Sequence, residues 1–94
     1  MFIVTANSDE SNSAAVDDVG KVLHTVIEGL VDNPEKVRVE ATAGDRTLVF
    51  NVITARDDVG KVIGKKGRII TAIQQLISAV AAKNKNRVNI SVVD

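Results

Sequence analysis

The 94-residue chain contains no cysteine, no tryptophan and no tyrosine. Without cysteine there is no disulfide framework, no thiolate metal site and no thiol nucleophile. That absence fits a reducing compartment. The two aromatic residues are Phe2 and Phe50, so sheets that stack unpaired bases on aromatic rings are excluded as a recognition mode. Phe50 sits in a run with Leu48 and Val52 and reads as core. The single histidine, His24, has no serine or cysteine partner and reads as a surface or boundary residue. No metal-ligating cluster stands out, so neither enzymatic chemistry, a metal nor a cofactor is expected. Long apolar runs are missing as well. Met1–Ala6 is apolar but lacks a charged flank and is too short for a signal peptide or a membrane span. The expectation is a soluble, cytoplasmic protein without a membrane partner.

Charge of one sign is missing from a whole third of the chain. The formal net charge is +0, with 12 basic and 12 acidic residues. Residues 59–93 nevertheless hold seven bases (Lys61, Lys65, Lys66, Arg68, Lys83, Lys85, Arg87) and no acid. A face of that composition expects an anionic partner. Hydrophobic residues make up 45% of the sequence, enough for one small core and one domain.

Along the chain, Met1–Asn12 reads as a flexible or loosely docked tail, with an edge strand at Met1–Ala6 as the lesser alternative. A helix starts near Ser13, with Val16, Val19, Val22, Leu23, Val26, Ile27 and Leu30 at helical spacing. It stops at Asp32-Asn33-Pro34, because the residue before proline is pushed out of the α region. Strict alternation over Lys36–Ala43 predicts a strand, and Gly44-Asp45 predicts a turn into a second, more central strand, Thr47–Thr54. Asp57 caps a short helix, 58–63, in this reading, with Asp58 beside it as a helix-start residue. A third helix covers about 68–82. A polar loop follows, then an alternating strand over Arg87–Val93. The sequence Asp-Asp-Val-Gly-Lys-Val occurs at 17–22 and again at 57–62; no longer similarity accompanies it, so it reflects shared helix-start chemistry. The elements run helix, strand, strand, helix, helix, strand, a two-layer α+β domain over residues 13–94.

Between the last two helices lies Gly64-Lys65-Lys66-Gly67, followed by Arg68. Two glycines allow close backbone approach. The helix that follows offers unpaired N–H groups and a positive dipole end. With Lys65, Lys66 and Arg68 the turn suits phosphate. It is not a Walker A loop, because Gly60-x3-Gly64-Lys65-Lys66 is one residue short and lacks the Ser/Thr that holds magnesium. No Gly-x-Gly-x-x-Gly fingerprint is present. A helix-turn-helix for duplex DNA is a poorer match, since a sheet surrounds these helices.

The run Val62-Ile63-Gly64-Lys65-Lys66-Gly67-Arg68-Ile69 resembles the Ile-Gly-x-x-Gly signature of the KH domain. The element order resembles the type II, bacterial form. Leu30-Val31-Asp32-Asn33-Pro34, the strand pair, and Asp58 to Ile69 together are similar to the small single-KH proteins of the KhpA type, over about residues 14–93. That resemblance implies a three-stranded mixed sheet with three helices on one face. It also implies that the Gly64–Gly67 loop clamps about four unpaired nucleotides of single-stranded RNA. Lys65 and Lys66 would meet phosphates, Arg68 and Lys61 would lie near the same path, and Ile63, Ile69 and Ile70 would form an apolar floor. Lys83, Lys85 and Arg87 are candidates for the opposite lip from charge alone. The family further implies an RNA chaperone or post-transcriptional regulator with a link to cell-envelope growth, cell shape and cell-wall biogenesis. It would act as a homodimer or with another KH-containing protein. The competing reading is a dimerisation adaptor with weak or vestigial RNA contact.

Overall fold

The computed structural model describes residues 2–7, 13–44, 46–83 and 85–93. Helix α1, Ser13–Leu30, buries Val16, Val19, Leu23 and Ile27 as one stripe, each at most 1% exposed. That is the three-four spacing legible in the sequence. The only proline, Pro34, opens a single 3-10 turn, Pro34–Lys36. This turn takes up the first residues expected in the next strand, so β2 is Arg38–Ala43. Strand β3, Thr47–Ile53, turns Leu48, Phe50 and Val52 inward. Phe50 is 0% exposed, the core position its neighbours implied.

A second 3-10 turn, Arg56–Asp58, leads into α2, Val59–Ile63. A third, Lys65–Gly67, leads into α3, Arg68–Ala82. The last strand, β4, is Arg87–Val92. Strands β2 and β3 pair antiparallel, and β3 and β4 pair parallel across the two-helix connection. These three strands are the expected mixed sheet, and the α-β-β-α-α-β order is that of the type II KH fold. Inward residues of the strands meet Val62 of α2, Ile73, Ile77 and Ala81 of α3, and the stripe of α1 in one core.

One element corrects the reading of the N-terminal tail. Residues Phe2–Asn7 form a strand, β1, parallel to the outer edge of β2, so the described sheet runs β1-β2-β3-β4. The register slips between Val4 and Ala6. An uncovered edge of β2 presents a row of unpaired backbone groups, and an apolar, partly β-branched segment satisfies them. Met1 and residues 8–12 lie outside the described residues. The cost of joining a distant parallel strand is set by the connection, which no local pattern reveals. No helix among the described residues is long and apolar enough to cross a membrane.

Candidate nucleic-acid interface

The turn between α2 and α3 has a backbone that its glycines make possible. At Gly64 φ is 77° and ψ is 172°, and its N–H donates to the Gly60 carbonyl at 2.8 Å. This conformation is essentially glycine's alone. A Cβ at position 64 would stand 2.5 Å from Ile69 Cγ1 and 2.8 Å from Ile69 Cβ. Gly64 therefore lets Ile69 of the same chain fold over the turn. Gly67 has a different reason. Its φ of 73° is left-handed, yet the nearest atom to an added Cβ, Ile70 Cγ2, is 3.9 Å away. Lys66 between them is also left-handed, at φ 58° and ψ 25°. A side chain in that region costs about 1–2 kcal/mol.

Lys65, Lys66 and Arg68 are exposed, and among the described residues none of them pairs with an acid. Ile63, Ile69 and Ile70 flank the turn half-buried; Ile69 and Ile70 rest on the core and leave part of their surface open. The structure thus brings eight of the nine residues expected at the site to one turn and its flanks.

Lys61 is the ninth, and its ammonium is engaged elsewhere. It bonds the Asp32 carboxylate and lies 3.6 Å from Asp58 Oδ1. The bond to Asp32 raises its pKa above the ordinary value; desolvation opposes this, and the charges of Asp32 and Asp58 reinforce it. Asp58, read as a helix-start residue beside Asp57, has a different role. It precedes α2, but its side chain makes no capping bond. Asp57 is exposed within the 3-10 turn. The Asp58 carboxylate, 1% exposed, accepts from Asp32 N–H at 3.2 Å, Asn33 N–H at 3.0 Å and Asn33 Nδ2 at 3.0 Å. It ties the end of α1 to the helix that enters the glycine turn. Burial pushes its pKa up, but the bonds from Asn33 and Asp32 together with Lys61 outweigh that and leave it below 3.8.

A pH dependence follows. The folded carboxyl titrates below the unfolded one, so its contribution is complete above about pH 4 and is lost as pH falls through the lower folded value. Asp58→Asn replaces one acceptor oxygen with a donor facing the Asn33 donors. The variant should be less stable at pH 7, and its deficit relative to the wild type should shrink as pH drops below about 4. Urea midpoints across pH measure this; a deficit that does not change with pH would show that the charge of Asp58 is not what holds the joint.

Gln74, one turn after Ile70, was not marked by any sequence pattern. Its Nε2 donates to the Val88 carbonyl at 2.6 Å and to Ser78 Oγ at 3.0 Å, and its Oε1 accepts from Ile90 N–H at 3.0 Å. Strand β4 ends the described sheet, so its outer backbone groups need partners, and one carboxamide serves two of them. A polar residue on the border of an amphipathic helix looks solvated in sequence.

The candidates for the opposite lip, named from charge alone, lie away from the turn. Lys83, Lys85 and Arg87 follow the far end of α3, which is 15 residues or about 22 Å long. Lys85 and Arg87 instead line an open cleft of about 360 Å³ with Arg46 and Thr47. Among the described residues no group of three His, Cys, Asp or Glu could hold a metal ion.

A sequence profile described as "KhpA/KhpB, KH domain" matches residues 20–92. The chain is 41% identical over 69 residues to a protein of Chlamydia pneumoniae named RNA-binding protein KhpA, covering 73% of this chain and 88% of that one. It is 40% identical over 75 residues to the protein of that name from Caldanaerobacter subterraneus subsp. tengcongensis, covering 80% of this chain and 100% of the other. The protein so named in Listeria monocytogenes is 32% identical over 74 residues, 79% of this chain and 97% of that one.

Proposed function

Because the chain belongs to the KhpA/KhpB family of KH domains, which are binding proteins and not enzymes, we propose that it binds single-stranded RNA through the Gly64–Gly67 turn. The observation that carries this is the cluster Lys65, Lys66 and Arg68: three exposed cations without acidic partners among the described residues, on a turn entered through a backbone conformation at Gly64 that is glycine's alone, at the head of a long helix. Phosphates of about four nucleotides lie against the lysines and the N-terminus of α3. Bases lie over Ile63, Ile69 and Ile70. With no tyrosine or tryptophan to stack on, sequence preference is loose and affinity modest. Lys61 stays with Asp32 and Asp58 and acts by fixing α2.

So short a footprint gains from two copies side by side, either of this chain or of this chain with a second KH protein. The cellular role is that of an RNA chaperone or post-transcriptional regulator bearing on cell-envelope growth and cell shape, as the family resemblance suggests. Titration of labelled single-stranded RNA across salt concentrations tests the binding mode. Contact with three or four phosphates gives a log–log slope of roughly −2 to −3. Binding with a slope near zero would point to an apolar adaptor surface and against the clamp.

A further inference from the structure

We propose that the cleft formed by Arg46, Thr47, Lys85 and Arg87 is a second phosphate site for RNA backbone, separate from the glycine turn; the proposal rests on the RNA-binding reading above. Its residues come from two distant loops. Arg46 precedes β3 and Thr47 opens it, while Lys85 lies between α3 and β4 and Arg87 opens β4. The backbone fixes their meeting. Arg87 N–H donates to the Arg46 carbonyl at 2.8 Å, Thr47 stands opposite Arg87 in the β3–β4 register, and Lys85 N–H donates to the Ala82 carbonyl at 2.9 Å. The cleft they line, about 360 Å³, is open to solvent on the sheet's border.

Its charge is net positive. Arg46, Lys85 and Arg87 are exposed, and among the described residues none of them makes an ion pair. The sequence puts one acid, Asp45, next to Arg46; counting it, positions 45, 46, 85 and 87 still sum to +2. Glu40, the acid that β2 turns to the same side of the sheet, stands opposite Asn51 and lies 4.0 Å from Arg38. Among the described residues three non-glycine positions have positive φ: Lys66 on the glycine turn, and Arg46 and Lys85 here. Each is basic, and the two at the cleft hold a left-handed conformation that long side chains seldom adopt. Such geometry persists where the surroundings over-determine it. Three cations beside a hydroxyl are a phosphate's chemistry, and phosphate contacts fix nucleic acid without reading its sequence.

Position separates this cleft from the clamp. Arg87 alternates with buried Val88, so it faces the side of the sheet away from the helices. The glycine turn sits at the other end of α3, about 22 Å off. A strand of about four nucleotides held at the turn fills only that site. A longer strand passes the β4 edge and engages both, and the second contact is then intramolecular.

The test uses the full chain with single-stranded RNAs of about four and about twelve nucleotides. It compares the wild type with Arg46→Gln, Arg87→Gln, which keeps every backbone bond at the cleft, after circular dichroism confirms the fold. The expected result is a loss of about tenfold on the longer RNA, no change on the shorter one, and a salt slope on the longer RNA smaller by about 1.4, two phosphates' worth. Equal losses on both lengths would mean general charge attraction and overturn the site. Unchanged binding at both lengths would also overturn it and leave the cleft to another anion, such as an acidic protein surface. Failure of the wild type to bind either RNA would overturn the clamp reading and this proposal together.

Discussion

Gly64→Ala should lower the unfolding free energy by about 3 kcal/mol, and Gly67→Ala by only about 1 kcal/mol, although the two glycines look equivalent in the motif. The difference comes from what each residue meets. At position 64 an added Cβ is trapped between an unfavourable backbone and Ile69, whose Cγ1, Cβ and Cδ1 would all lie within 2.9 Å. Ile69 is packed against the core and has little room to withdraw. At position 67 the added carbon meets only Ile70 Cγ2, at an ordinary contact distance of 3.9 Å, and only the left-handed φ of 73° is penalised. Urea unfolding of the two variants separates the effects. Equal losses would show that the contact with Ile69 is not what position 64 protects. The same change should weaken RNA binding in any Gly64→Ala protein that remains folded, because moving Ile69 also moves the start of α3.

Lys65→Asp with Lys66→Asp should cut affinity for single-stranded RNA by about 100-fold or more while leaving stability within about 0.5 kcal/mol. Both side chains are exposed and make no ion pair among the described residues, so nothing in the fold depends on their charge. Aspartate also accepts the left-handed conformation of position 66 better than lysine does. The exchange turns two positive charges at the head of α3 into two negative ones, which repel phosphate where the helix dipole would attract it. Filter binding or fluorescence anisotropy on the folded variant gives the answer. Affinity equal to the wild type's would reduce the turn to a structural connection and remove the clamp. The neutral Lys65→Ala, Lys66→Ala pair should fall between the two, which separates lost attraction from added repulsion.

Most of the path to this site was open to reading from residue order. The stripe of α1, the alternation of β2 and β3, and the glycine turn are patterns with periods of a few residues. Local sterics and burial enforce them wherever they occur. Phe50 showed its place by its neighbours Leu48 and Val52, which share its inward face. Lys65, Lys66 and Arg68 were legible because the turn itself collects them. What residue order does not distinguish is one charge from another. Lys61 carries the same charge as Lys65, and only the fold reveals that Asp32, 29 residues away, holds it. Asp58 reads as a helix-start residue beside the expected cap and instead braces a loop 25 and 26 residues upstream.

The sequence by itself determined the order of the elements, the site of the glycine turn and the basic character of the last third, because each depends on contacts within a few residues. Tertiary structure decided which charges are free and which are spent on ion pairs. It decided that Phe2–Asn7 finds the edge of β2, that Gln74 closes part of the edge of β4, and that Arg46 meets Lys85 and Arg87. Those outcomes depend on pairings between segments far apart in the chain. Their partners are selected by the packing of the whole core, and no local period records that choice.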